Sequence, residues 1–317
     1  MNKLLLAALI SGAMAVPAFA ADYTIMAPAA PGGGWDQTAR SMQEALQADG
    51  ISGNVQVTNV PGAGGTIGLA QFVNESNGNP NALIVGGYVM VGAILTNASP
   101  VTLDMVTPIA RLTGEAVVVV VPAASDIQTM DDLVAKLKAD PGAVAWAGGS
   151  AGGADHITAG LIAKTVGVDP TQVNYIAYSG GGEALAALLG GQVTAGVSGY
   201  SEFVGQIEAG ELRLLAVSSE DRVPGVDAPT LREAGVDMAL ENWRMVAAAP
   251  GITDEQKAAI TADIEKMVNS DSWQATLETK GWVNTYLAGD AFAAQHAAHT
   301  EPAQAMLKKM GLDKKVQ

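Results

Sequence analysis

Apolar and polar positions along this chain switch repeatedly between strand-length runs and helical spacing. Tyr23 to Ala27 reads as a buried strand, whereas Gln37 to Ala48 carries Ala39, Met42, Ala45 and Leu46 at helical intervals. Val55 to Val60 predicts a second strand, Ala82 to Gly86 a third, and Gly87 to Leu95 the start of a helix. Arg111 to Val121 ends in a run of valines, Val117 to Val121, closed by Pro122; this is a β-branched strand long enough to cross between two lobes. Thr129 and Asp132 mark a capped helix start with Leu133, Val134 and Leu137 on its apolar face. Strands follow at Val144 to Ala147, Val173 to Tyr178, Gln192 to Ser198 and Leu212 to Ser218, with helices running through Lys164 and Leu189. Thr230 with Glu233 and Thr253 with Gln256 have capping-box spacing; Asn242 to Ala249 predicts a strand, and Ile252 to Ser270 and Phe292 to Lys309 surface helices.

Strands alternating with helices predict α/β lobes with largely parallel sheets. A chain of 317 residues suits two lobes better than one core. The expected division is residues 21–121 plus 222–317 for a discontinuous lobe 1, and 122–221 for lobe 2, with a ligand cleft between them.

Glycine-rich corners punctuate this pattern where strands meet helices. Pro31-Gly32-Gly33-Gly34-Trp35-Asp36 opens the first helix, and Pro61-Gly62-Ala63-Gly64-Gly65-Thr66 repeats the device after the second strand. Gly148 to Gly153 and Gly180 to Gly182 come close to it again. A corner that opens a helix leaves backbone N–H groups without helical partners at the positive end of the helix dipole, a setting that favours anions. Several such corners in one chain point to a cleft for a small anionic ligand.

Composition narrows the setting. Lys3, the apolar run Leu4 to Val16 and Ala18-Phe19-Ala20 have the form of an export signal, residues 1–20, cleaved after Ala20. No later stretch reaches the ~18 apolar residues of a spanning helix. The sequence contains no cysteine, which excludes disulfides, thiol catalysis, cysteine-bound metals and lipidation at cysteine; the periplasm is the expected location. The net charge of −15 argues against nucleic acid and anionic membranes as partners, while a cleft can still be locally positive.

Several motifs have competing readings. Gly148-Gly149-Ser150-Ala151-Gly152 fits the nucleophile elbow of a serine hydrolase, for which Asp227 or Asp237 with His296 or His299 would complete the chain order. Both histidines lie on a polar helix, no oxyanion segment of the HGGG type is present, and so short a match is cheap among 37 glycines. The Gly62 corner lacks the third glycine of a dinucleotide fingerprint, because Ile67 occupies it. His156 either faces the cleft or caps its own helix, the latter being favoured. Arg244 sits in an otherwise apolar strand and needs a partner, either a carboxylate such as Glu241 or a ligand carboxylate.

The corners, together with Asn59 to Gly65, Tyr178 to Glu183, Leu188 to Val193, Leu215 to Arg222 and Pro229 to Gly235, carry a resemblance that spans the expected mature chain in order. The sequence resembles the substrate-binding proteins of the tripartite tricarboxylate transporters, the TctC or Bug family. The resemblance implies a two-lobed periplasmic binding fold of the second type, with no catalytic residue, metal or cofactor. It implies a receptor that closes on a di- or tricarboxylate, citrate-like, and delivers it to a permease of large and small membrane subunits. It places Gly33, Gly34, Asp36, Gly64, Gly65 and Thr66 at a shared carboxylate site. Gly149, Ser150, Asp155, Tyr178, Gly181 and Ser198 are the second-lobe contacts it suggests, and Trp35 and Arg244 match aromatic and basic positions of tricarboxylate-type members. Gly86-Gly87-Tyr88 departs from the small Ser-rich loop of the family, which makes Tyr88 a further contact expected to bear on ligand identity. The receptor is expected to act as a monomer.

Overall fold

The computed structural model describes residues 21–312, so the export signal read at residues 1–20 lies outside the described residues. The chain begins β1 (Ala21–Ala27), α1 (Gly34–Ala48), β2 (Ser52–Asn59), α2 (Thr66–Glu75), β3 (Ala82–Gly87) and α3 (Tyr88–Thr96). β1 lies between β2 and β3 and runs parallel to both, as short strand–helix–strand connections dictate. The long β4 (Thr107–Pro122) then leaves this lobe.

The second lobe contains α4 (Met130–Ala139), β5 (Ala145–Gly148), α5 (Ala154–Thr165), β6 (Asn174–Ala177), α6 (Gly181–Leu189), β7 (Ala195–Gly199), α7 (Tyr200–Glu208) and β8 (Leu212–Val217). The chain returns through β9 (Glu241–Ala248) and finishes with α8 (Asp254–Val268), α9 (Asp271–Lys280), β10 (Trp282–Ala288) and α10 (Gly289–Lys309).

β4 links the lobes by changing partners along its length. Its first part, Thr107 to Ala116, pairs antiparallel with β9, and β10 pairs with Ala110 to Glu115. From Val117 onward its partners are β7 and β8. The valine run suits this because it is buried on both faces: Val117, Val119 and Val121 enter one core of the second lobe, Val118 and Val120 the other. The sheet order is β2-β1-β3-β9-β4-β7-β5-β6. The sheets are mixed, not largely parallel as the alternation of elements predicted, because β4 and β9 run antiparallel to their neighbours.

Three further differences have local causes. Val223, Ala228, Leu231, Val236 and Met238, which the expected boundary at residue 222 assigns to lobe 1, pack in the cores of the second lobe. Backbone bonds from Leu231 N to Val217 O (2.8 Å) and from Leu240 N to Ser218 O (2.8 Å) hold the segment there. Thr230 and Glu233 exchange both capping-box hydrogen bonds, yet they close a turn with no helix behind it. Finally, the sequence pattern does not predict α7, α9 or β10: α7 fully buries only Phe203, and β10 shows no regular alternation of buried and exposed positions.

Candidate functional site

The strand-to-helix corners of both lobes converge on one small cavity of about 50 Å³. Lobe 1 contributes Gly33, Gly34, Trp35, Gly62 and Gly65 to its wall. The second lobe contributes Gly149, Ser150, Asp155, Gly180, Gly181 and Glu202, and the returning strand β9 contributes Asn242 and Arg244. Such a crevice at strand ends, between two α/β units, is where this architecture presents unpaired backbone donors.

The first corner is braced from behind by Asp36. Its carboxylate accepts from Gly32 N (2.8 Å), Arg40 Nε (3.0 Å) and Asn59 Nδ2 (2.9 Å). Burial pushes this carboxyl up, but the bonds from Arg40, Gly32 and Asn59 win and hold it below the usual range. Asp36 therefore stays charged and shapes the loop instead of lining the cavity, contrary to the expected ligand contact. Asn59 also donates to Ala29 O (3.1 Å), tying the second strand to the first corner.

The second corner depends on left-handed glycines, with Gly64 at φ 61° and Gly65 at φ 87°. A Cβ on Gly65 would lie 2.6 Å from Cζ3 of Trp35, so the missing side chain is what lets the indole seat against this corner. The Thr66 hydroxyl donates to Ala63 O (2.8 Å) and closes the turn; it does not line the cavity. Gly64 and Tyr178 line an adjoining cavity with Ser150.

In the second lobe each corner is held by an acid. Gly149 N donates to Asp155 Oδ2 (2.7 Å), and the Tyr175 hydroxyl donates to Gly149 O (2.7 Å). Gly181 N donates to Glu202 Oε1 (3.0 Å), and Ser198 Oγ to Glu202 Oε2 (2.8 Å). Ser198 thus sits under the wall as the support of Glu202. Burial first, and the Glu202 charge second, push the Asp155 carboxyl up to about 7. Burial and the Glu115 charge raise Glu202 as well.

Arg244 is almost wholly buried and pairs with Glu115 of β4, not with Glu241. Glu241 instead takes Arg111, at 2.7 Å. The guanidinium of Arg244 lies over the Trp282 ring, 5.1 Å from its centroid, and its Nη1 has no hydrogen-bond partner among the described residues. Arg244 thus has a carboxylate partner, Glu115, and also lines the cavity wall. Tyr88 does not reach the cleft. It lines a separate cavity beside Leu161 and Leu240, where burial pushes its hydroxyl up to about 12.

Sequence reasoning missed Glu115 and Glu202. Glu115 stands at the head of the valine run, an acid in a strand of core residues, which signals a buried partner. Glu202 lies in the first turn of α7, a helix the sequence pattern does not predict, and carries no comparable signal.

Ser150 does lie on the cavity wall, but the hydrolase arrangement does not assemble around it among the described side chains. His156 accepts from Gly152 N through Nδ1 (3.1 Å), stacks on Tyr175 at 4.1 Å, and is pushed down to about 4 by burial. It is a satisfied core imidazole that braces the start of its own helix. The side chains of His296 and His299 lie outside the described residues, on α10, which packs against α3 and β4.

A two-lobed α/β chain with a cleft of helix-opening glycine corners is a solute-binding fold. This chain belongs to the tripartite tricarboxylate transporter family receptors, the TctC family, whose model matches residues 38–312. It is 31% identical to Protein BugT of Bordetella pertussis (strain Tohama I) over 278 residues, 86% of this chain and 79% of that protein. Its fold is similar to that of the periplasmic binding protein BugD, with a TM-score of 0.84 at 22% identity over 93% of this chain and 99% of that one. It is also similar to Rhodopseudomonas palustris MatC with bound malate, with a TM-score of 0.73 at 22% identity over 95% of this chain and all (100%) of that one.

Proposed function

We propose that this protein is a periplasmic receptor with no chemistry of its own, which captures a small carboxylate between its lobes and delivers it to a membrane permease of large and small subunits. The observation that carries the reading is the convergence of the Gly33, Gly65, Gly149 and Gly181 corners on one cavity. The first-turn N–H groups of α1 have no carbonyl one turn back inside the helix, and a carboxylate there would satisfy them at the favourable end of the dipole. The malate bound by MatC, on a similar fold, supports a carboxylate ligand. Of the expected contacts, Gly33, Gly34, Trp35, Gly65, Gly149, Ser150, Asp155, Gly181 and Arg244 are proposed to face it, with Gly64 and Tyr178 at the mouth.

The cleft is closed in this structure. A Cβ on Gly180 would lie 3.3 Å from Gly33 Cα, and one on Gly64 would lie 3.3 Å from Ser150 Cβ, so the lobes touch across the site. Entry of a ligand requires them to part about the β4 and β9 crossings, and a ligand that touches both lobes favours the closed state. A citrate-like ligand is a poorer match than a dicarboxylate, because Arg244 is the one guanidinium on the cavity wall and it already serves Glu115. Among the described residues no helix is long and apolar enough to cross a membrane, so the permease would supply the route and an ion gradient the drive.

Calorimetric titration with malate, succinate, adipate and citrate tests the binding, and uptake of the bound compound by cells lacking this protein tests the delivery. A binder at 100 times its dissociation constant should add about 2.7 kcal/mol to stability. Absence of binding by all four compounds would refute the carboxylate reading, and undiminished uptake would refute the delivery.

A further inference from the structure

The cavity holds more negative charge than a receptor for anions should tolerate. Asp155 on α5 and Glu202 on α7 both line it, and Glu115 on β4 stands behind them. Against these three carboxylates Arg244 on β9 is the one cation on the wall, and it is spent on Glu115. Lys280 on α9 feels the Glu115 charge while it donates to Gln37 Oε1 (3.1 Å) and lies 5.5 Å from the Trp282 ring centroid, and the remaining titratable neighbours, Tyr175 on β6 and His156 on α5, are neutral. With Lys280 counted beside Arg244, three carboxylates face two cations, and the cluster is one positive charge short.

Two occupants could supply that charge: a ligand with a cationic group, or a proton. Arg244 decides between them. Its Nη1 is a buried donor without a partner among the described residues, and it belongs to a side chain on this cavity wall. An unsatisfied buried donor calls for an acceptor. A ligand ammonium held between Asp155 and Glu202 would lie beside that guanidinium and be repelled by it, whereas a ligand carboxylate would be attracted to it. The carboxylate can approach only if the acid pair gives up one charge.

Resting on the carboxylate reading above, we propose that Asp155 and Glu202 are specificity-determining residues that share one proton and present it to the ligand's second carboxylate beside Arg244. The bond is a carboxylic acid O–H donating to a carboxylate oxygen, and the proton comes from solvent as the ligand binds. Both acids keep their structural bonds when one is protonated. Asp155 accepts Gly149 N–H through Oδ2, which leaves Oδ1 for the proton, and Glu202 still accepts from Gly181 and Ser198. Asp155, already pushed up to about 7 by burial and Glu202, is driven higher when an anion arrives.

The test is titration with malate, succinate, adipate and citrate at pH about 7 and about 8, in phosphate and in Tris, whose ionisation heats differ. For a compound that binds, the wild-type protein should take up about half a proton at pH 7 and close to one at pH 8, with affinity falling up to tenfold between them. Asp155→Asn and Glu202→Gln keep an acceptor for their backbone N–H groups, and either should abolish most of the uptake and flatten the pH dependence. Binding without proton uptake by the wild-type protein, affinity that rises with pH, or uptake unchanged in both variants would each overturn the proposal. Failure of all four compounds to bind would overturn the carboxylate reading beneath it. The wild-type measurement decides the matter even if a variant fails to fold.

Discussion

Arg244 and Glu115 form a fully buried ion pair across the two strands that join the lobes. The antiparallel register sets Thr113 opposite Arg244 and Asn242 opposite Glu115, so the two charged residues are diagonal neighbours on β9 and β4. Glu115 Oε1 also accepts from Ser201 N (2.8 Å) at the start of α7. One pair thus connects the crossings, the second lobe and the cavity wall.

Removing one partner of such a pair leaves an uncompensated buried charge. Arg244→Met should destabilise the protein by about 3–5 kcal/mol, read as a lower urea midpoint. Adding Glu115→Leu to it should recover part of that loss, because both charges then leave the interior. A loss below about 1 kcal/mol for Arg244→Met would show that the pair is solvated in solution.

The second corner has no room for a side chain. Gly65→Val would place a β-branched residue at φ 87° against Trp35 and the Met90 methyl, at 2.6 and 3.0 Å from Cβ. Carboxylate binding should be lost and the thermal midpoint should fall by several degrees. Retained affinity in calorimetric titration would contradict the packing of Trp35 on this corner.

Closure depends on a backbone-to-backbone contact. Gly180 has an extended backbone that any residue can adopt, yet a Cβ there would sit 3.3 Å from Gly33 Cα on the other lobe. Gly180→Val should therefore leave stability nearly unchanged while weakening ligand binding at least tenfold. In small-angle scattering, the ligand-induced contraction expected of the wild-type protein should be smaller in this variant.

Asp155 makes stability depend on pH in the unusual direction. Unfolded, its carboxyl releases the proton near ~3.9; folded, it holds it to about 7. Between these values the native state binds more protons, so this group's contribution falls as pH rises through the window and is constant outside it. The stability of Asp155→Asn relative to wild type should therefore increase from pH about 4 to about 7 and level off above. Urea unfolding of both proteins at several pH values reads this difference directly, and a gap independent of pH would show that Asp155 titrates as an ordinary carboxyl.

A cap carries the start of α8. Thr253 Oγ1 accepts from Gln256 N (3.3 Å) while the Gln256 side chain accepts from Thr253 N (2.8 Å). Thr253→Ala should cost about 1 kcal/mol of stability and leave ligand binding unchanged, as measured by urea unfolding and titration.

The elements of this fold were legible because local patterns decide them. Strand-length apolar runs, helical spacing in Gln37 to Ala48 and the Thr129 and Thr253 caps correspond to β1, α1, α4 and α8, and the doubly buried valines mark the crossing strand β4. The corners were legible too, since glycine before an apolar helix states the need for left-handed or close-packed backbone. What the sequence could not determine is who meets whom across long separations. Arg244 finds Glu115 and not the nearer Glu241, 129 residues away instead of three, because strand register and not sequence distance places charges side by side. The packing of elements distant in sequence likewise sends Tyr88 to a separate cavity and brings Glu202 and Asp155 to one wall. Periodicity and capping are properties of neighbours along the chain; the charge balance of the cavity belongs to six separate strands and helices, and only their packing assembled it.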